Sequence, residues 1–135
     1  LGKRLVYPIV FCYRHFIELS LKYFISEYGH IADVPPNSQD HDLDVLWPMF
    51  RKIVTHFNDG DTEVLAALEE IVAEFAKLDA RSFTFRYPTN RKGDPIMIDL
   101  DNIDLSKLRD TMEGVANFFD GVDGYLDSLS RNEPY

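Results

Sequence analysis

The first predicted helix contains residue types from which ion-pair and acid–base sites are built. Arg14, Glu18 and Lys22 follow one another at intervals of four residues, and His15 lies beside Arg14. At about 100° per residue, these four side chains fall within one arc of about 100° on a helix whose remaining surface is mostly apolar. The spacing indicates either a solvated stripe or a polar site.

The two interpretations differ in what covers this arc. Exposed i,i+4 ion pairs stabilise a helix by only about 0.2–0.5 kcal/mol each. A covering element, such as the Arg86 loop or the His41 end of the second helix, would bury the groups as a network and shift their pKa values. The polar cleft predicted on this second interpretation consists of Arg14, Glu18, Lys22, His41, Arg86 and Tyr87.

The segment around Arg86 is the most basic part of the chain, with the sequence FRYPTNRKGD. Arg86 could bind a phosphate through two nitrogens, and Tyr87 offers a ring on which a base could stack. The alternative is a structural loop in which the arginine pairs with an acidic residue.

A second candidate site is the pair Arg51 and His56 in the segment RKIVTH. A histidine can transfer protons at a ribose hydroxyl, and an arginine can stabilise the charge of a phosphorane, as metal-independent ribonucleases require. Residues five apart lie about 140° from each other on a regular helix, so a shared site needs a bend or a second subunit. Two unrelated surface residues are the alternative.

Composition and charge limit the functional classes. The formal net charge of −9 disfavours RNA or a nucleotide as partner, because phosphate backbones are bound mainly through Lys and Arg. The acidic string QDHDLD lacks the glycine and spacing of a calcium loop, so no metal and no cofactor are expected. The single cysteine, Cys12, and the absence of a long apolar run predict a cytoplasmic protein without a membrane contact.

The hydrophobic pattern predicts one domain over residues 1–135. Its fold class is mainly α, a four- to five-helix up-and-down bundle with a short β-hairpin or ordered loop near residues 82–100. The first helix runs from about residue 3 to 28 and ends at Gly29. Its wide apolar face, which includes Phe16, Leu19 and Tyr23, predicts that it packs on several sides.

The later helices have recognisable starts. The second begins near Asp40, a candidate N-cap, and the third follows Asp61 or Thr62. The last begins after Asp104 or Ser106 and carries a long apolar seam. Its glycines Gly114 and Gly121 indicate a close helix crossing, a partner helix or a kinked surface helix, and a homodimer through the long helices is expected.

Three motifs resemble those of HEPN-type (higher eukaryotes and prokaryotes nucleotide-binding) helical domains: RHFIELSLKYFI on the first helix, HDLDVLW at the second, and FRYP before the last. The resemblance implies a helical bundle that often dimerises and belongs to prokaryotic toxin–antitoxin, phage-defence or RNA-processing systems. Catalytic members resemble one another in an Arg-x4–6-His motif on a late helix, whereas Arg51 and His56 lie on the second. A non-catalytic binding or interaction module is therefore the leading expectation, with a ribonuclease and a purely structural adaptor as alternatives.

Overall fold

Within the part of the chain that the structure describes, the helical periodicity of the sequence is realised as four α-helices, which confirms the mainly α fold class. The structure is a computed structural model and describes residues 2–57, 62–77 and 104–132. The helices are α1 (Gly2–Tyr28), α2 (Leu43–Phe57), α3 (Thr62–Ala76) and α4 (Leu105–Asn132), and a short 3-10 helix (Gly29–Ala32) follows α1. The hairpin or loop predicted near residues 82–100 lies outside the described residues.

Aromatic side chains from three helices meet in the centre of the core. Phe50 of α2 is fully buried, and its ring centroid lies 5.1 Å from that of Phe24 on α1 and 5.7 Å from that of Phe119 on α4. Helix α3 adds four buried apolar side chains to the same core, namely Leu65, Leu68, Val72 and Phe75. Burial of this apolar surface is the main force that holds the four helices together.

Helices α1 and α2 run in the same direction. His41, two residues before α2, contacts Glu18, whereas Phe57 at the end of α2 packs against Tyr28 at the end of α1. The connection after the 3-10 helix must therefore return along α1 before α2 begins. The prolines Pro35 and Pro36 keep it out of helical conformation.

The other two helices complete an arrangement that differs from the predicted up-and-down bundle. Helix α3 runs opposite to α2, because Glu69 in its middle reaches back to Trp47 in the first half of α2. Helix α4 runs parallel to α1, since Phe119 packs on Phe16 and the later Asp123 contacts Tyr28. The up-and-down prediction is wrong because the connection before α2 spans the length of a helix instead of forming a short turn.

The N-terminus of α2 is capped two residues later than predicted. The carboxylate of Asp42 accepts a hydrogen bond from the Asp44 amide at 2.9 Å, and its carbonyl accepts one from Leu46 at 3.1 Å. Asp40 instead exchanges hydrogen bonds with Asn37 inside the preceding loop, so its assignment as N-cap is wrong. The predicted start of α4 after Asp104 is confirmed, because that carboxylate accepts bonds from two amides of the first turn.

Gly29 ends α1 as predicted, although for a different reason. A Cβ atom at this position would lie 2.7 Å from the carbonyl oxygen of Val34, and the Val34 amide donates a 2.8 Å hydrogen bond to the Gly29 carbonyl. The glycine is required by this close approach of two backbone segments. The left-handed residue of the turn is Asp33, with φ of 57°.

The prediction that α1 packs on several sides is confirmed, but one apolar stripe of the helix is not covered by the other described helices. Helix α1 contacts α2, α3 and α4, yet Phe16, Leu19 and Tyr23 are 39%, 52% and 43% exposed. No helix within the described ranges is long and apolar enough to cross a membrane.

Gly114 and Gly121 do not mark a close crossing inside the described part of the chain. A Cβ atom built on either glycine would have no atom within 4 Å, and both residues are exposed. This face of α4 is open among the described residues.

Two glycine substitutions should change the free energy of unfolding in opposite directions. We expect Gly29→Ala to destabilise the protein by about 1–3 kcal/mol, because the new methyl group meets a backbone oxygen that cannot rotate away. Gly121→Ala should stabilise it by about 0.5–1 kcal/mol through helix propensity alone. Urea unfolding of both variants measures these values, and a stabilising Gly29→Ala would contradict the described backbone approach.

Candidate functional site

The carboxylate of Glu18 is the centre of a polar cluster between α1 and the start of α2. It accepts a hydrogen bond from Arg14 Nη1 at 2.9 Å on one oxygen and from Lys22 Nζ at 3.0 Å on the other. The second oxygen also lies 2.8 Å from Nδ1 of His41. Since an ionised carboxylate only accepts hydrogen bonds, Nδ1 must carry the hydrogen.

The side chains of the cluster range from buried to exposed. Glu18 and Arg14 are only 3% and 4% exposed, so the solvated-stripe interpretation does not apply to them. The side chain of Lys22 is 16% exposed and that of His41 is 63% exposed. The buried pair therefore holds two polar side chains that reach the surface.

Arg14 and Lys22 also bind the backbone of the connection that returns along α1. Arg14 Nη2 donates a 2.7 Å hydrogen bond to the carbonyl oxygen of His41, and Lys22 Nζ lies 3.4 Å from the carbonyl oxygen of Ser38. Both the backbone and the ring of His41 are thus bound to α1. The remaining guanidinium nitrogen of Arg14, Nε, is buried without a hydrogen-bond partner among the described residues.

The environment of Glu18 lowers the pKa of its carboxyl group. Burial alone would raise this pKa, but the hydrogen bonds from His41, Lys22 and Arg14 favour the ionised form and outweigh burial. The carboxylate therefore stays charged at neutral pH and holds its three donors.

The cluster carries an excess of positive charge in an acidic protein. Arg14 and Lys22 both pair with the one carboxylate of Glu18, so these three side chains sum to a formal charge of +1, whereas Asp40 and Asp42 flank His41 in the sequence. The nitrogens of Arg14 that bond Glu18 and His41 are used inside the cluster. Lys22 and the imidazole of His41 are the groups that an anion from solvent could reach.

The remaining predicted members of the cleft are not brought into this cluster by the described structure. Arg86 and Tyr87 lie outside the described residues, so their part in the cleft stays a prediction. His15, which shares the predicted arc, is exposed on α1.

The ribonuclease candidates Arg51 and His56 lie on the surface of α2. Arg51 Nη1 is 3.4 Å from Oε1 of Glu69, an oxygen that also accepts a 2.9 Å bond from Trp47 Nε1. The ring of His56 packs edge-on against Phe57 at 5.4 Å between centroids. These contacts involve different partners, so the described structure does not bring the two side chains into one site, and their catalytic role stays a prediction.

A second polar cluster joins α1 to α4 and was not found from the sequence. One carboxylate oxygen of Asp123 accepts hydrogen bonds from the hydroxyl groups of Tyr23 at 2.7 Å and Tyr28 at 2.8 Å. Burial and the bond to Asp123 raise the pKa of Tyr28, and the same bond raises that of Tyr23. Each tyrosine is about a hundred positions from Asp123 in sequence, and no spacing in the sequence indicated the contact.

No group of three or more metal-binding side chains comes together within residues 2–57, 62–77 and 104–132.

No protein-family model, no curated protein and no solved structure matches the chain. The resemblance to HEPN-type domains therefore stays an expectation based on three sequence motifs.

Replacement of Glu18 should be strongly destabilising. We expect Glu18→Gln to lower the free energy of unfolding at pH 7 by about 3–5 kcal/mol, because it leaves Arg14 as a buried charge without its counter-ion. The control is Glu74→Gln, since Glu74 also pairs with a lysine at 3.0 Å but on an exposed surface. That change should cost at most about 1 kcal/mol.

The difference in free energy of unfolding between wild type and Glu18→Gln should depend on pH, because the pKa of Glu18 is lowered in the folded state. A carboxyl group with a lowered folded-state pKa stabilises the protein above its unfolded pKa, and the stabilisation is lost as pH falls through the folded value. Starting from the ordinary value of 4.5, the gap between wild type and Glu18→Gln should narrow below about pH 4.5. Urea unfolding at several pH values measures the gap, and a gap that widens in acid would contradict the lowered pKa.

Proposed function

We propose that the chain is a non-catalytic helical binding module whose ligand contributes an anionic group, such as a carboxylate or phosphate, to the cluster around Glu18. The observation that carries this proposal is that two cations are held by hydrogen bonds to one buried carboxylate in a chain of net charge −9. Lys22 and the His41 ring would contact the anion, and Arg14 would hold both of them in place through Glu18 and the His41 backbone.

Preorganisation supports binding at this cluster. The imidazole of His41 cannot rotate freely while Nδ1 bonds Glu18, so its other ring nitrogen points in a fixed direction. A ligand that uses this nitrogen and Lys22 therefore pays little entropy for ordering the site. Arg86 and Tyr87 would extend the cleft if the FRYP segment covers it, which Arg86→Ala would test as a loss of binding without loss of stability.

The three motifs that resemble HEPN-type domains suggest the kind of system in which such a module would act. A HEPN-like module of a prokaryotic defence or toxin–antitoxin system would act in the cytoplasm and bind a protein or a nucleotide-like group. Two copies would pair through the long helices, and the open space beside Gly114 and Gly121 leaves one face of α4 accessible for that contact among the described residues. Light scattering would give twice the chain mass of 15.6 kDa for such a homodimer.

The ribonuclease alternative receives no support from the contacts of Arg51 and His56. It would be established by RNA cleavage in the presence of EDTA that is lost in His56→Ala. The purely structural alternative requires that the Glu18 cluster only stabilises the fold.

Titration with small anions separates binding from a purely structural role. We expect the ring resonances of His41 to shift saturably when inorganic phosphate is titrated at constant pH. Lys22→Met should weaken this binding about tenfold or more, because it removes a charged donor. Acetate and adenosine monophosphate, titrated separately, show whether a carboxylate suffices and whether a nucleoside adds affinity.

The matched control is Lys77→Met, because Lys77 also pairs with a glutamate at 3.0 Å but lies at the end of α3. This variant should bind phosphate as the wild type does. The absence of a saturable shift, or an equal affinity in Lys22→Met that still folds, would favour the structural alternative.

A further inference from the structure

Helices α1 and α4 border a groove whose apolar half lies beside the exposed stripe of α1. Its floor includes the buried rings of Phe24 and Phe119, and its α1 edge is formed by Phe16, Leu19 and Tyr23. The cavity has a volume of about 280 Å³, enough for one large apolar side chain. Exposed apolar residues that adjoin one another in this way are typical of an interaction surface.

The opposite edge of the groove is acidic. Asp120 and Asp123 of α4 line the apolar cavity. A second cavity of about 540 Å³ shares Tyr23 and Asp123 with the first and adds Glu27 and Asp127. The groove therefore continues from an apolar half into a half bordered by carboxylates.

The parallel course of α1 and α4 gives the groove a defined length. It extends from the level of Phe16 to that of His30 on α1, which at 1.5 Å per residue is about 20 Å. Helical segments of about 14 residues have this length. Asp127 also pairs with Arg131 at 3.2 Å, so part of the acidic charge at the far end is already compensated.

The carboxylate of Asp123 is held in place at the junction of the two halves. The hydroxyl groups of Tyr23 and Tyr28 donate to it, and both are neutral donors that leave its negative charge uncompensated. Asp120, one turn earlier, is exposed on the same edge. The acidic edge is therefore built into the contact between α1 and α4.

We propose that this groove binds an amphipathic helix of another protein, with large apolar side chains on one face and Lys or Arg along the adjoining flank. The apolar side chains would cover Leu19 and its neighbours, and the basic flank would pair with Asp120 and Asp123. The acidic edge favours a basic helix over a second copy of this chain. A second copy, with its net charge of −9, would bring further acidic charge to that edge. The groove lies on the α4 side of α1 and is independent of the anion site on the α2 side.

Binding of designed peptides to the purified chain tests this proposal. The probe is a labelled helical peptide of about 14 residues with a leucine face and a lysine flank, and its partner probe carries glutamate in place of lysine. We expect fluorescence anisotropy in 0.15 M salt to show saturable binding of the lysine peptide only. Leu19→Glu should weaken it about tenfold or more, because it places a charge against the apolar face, and Asp120→Lys should weaken it several-fold.

Two variants control for general effects of charge. Val45→Glu alters an apolar residue of α2 that is 40% exposed, and Asp110→Lys reverses an exposed carboxylate on α4 outside the groove. Both should bind the lysine peptide within about twofold of the wild type, since distant exposed charges are screened at this salt. Equal weakening by the control and groove variants would show non-specific attraction to an acidic protein and overturn the proposal.

Light scattering tests whether a second copy of the chain occupies the groove instead of a separate helical partner. If the chain is a dimer that Leu19→Glu converts to a monomer while Val45→Glu does not, a second copy occupies the groove and the proposal is wrong. A mass that is unchanged by Leu19→Glu, together with loss of peptide binding, supports a separate helical partner. Either result leaves the phosphate titration at His41 unaffected, so the two proposals fail independently.

Discussion

The hydrogen bonds to the Glu18 carboxylate are the constraint on which the relative direction of the first two helices depends. A chain that leaves α1 and enters α2 through a short turn would reverse direction. Here it returns along α1 and is bound there by Arg14 and Lys22, which contact backbone carbonyls of the returning segment. Because Glu18 orients both cations and also bonds His41, one buried carboxylate fixes where α2 begins.

This constraint has a consequence for the surface of α1. On its α2 side the helix presents Lys22 and binds His41 of the returning segment, whereas on its α4 side Tyr23 and Tyr28 bind Asp123. An exposed apolar stripe lies between these two edges. One helix therefore borders both surfaces for which we propose binding, the cationic edge for a small anionic group and the acidic groove for a basic helix.

The sequence predicted the features that depend on local spacing. The start of α3 at Thr62, the start of α4 after Asp104 and the end of α1 before Gly29 were predicted from local sequence signals. The i,i+4 spacing of Arg14, Glu18 and Lys22 correctly indicated mutual contact. The up-and-down arrangement was wrong, because periodicity gives the faces of a helix but not the direction of its neighbour. The bonds from Tyr23 and Tyr28 to Asp123 could not be predicted, since they depend on how α4 is placed after a long intervening segment.

The central claim is that Glu18 and His41 act as one unit that holds the returning segment on α1. A double-mutant cycle with Glu18→Gln, His41→Asn and the double variant, measured by urea unfolding at pH 7, tests it most directly. We expect a coupling energy of about 1–3 kcal/mol, as for residues that share one hydrogen-bond network. Additivity within about 0.5 kcal/mol would show that the two side chains act independently and would contradict the account.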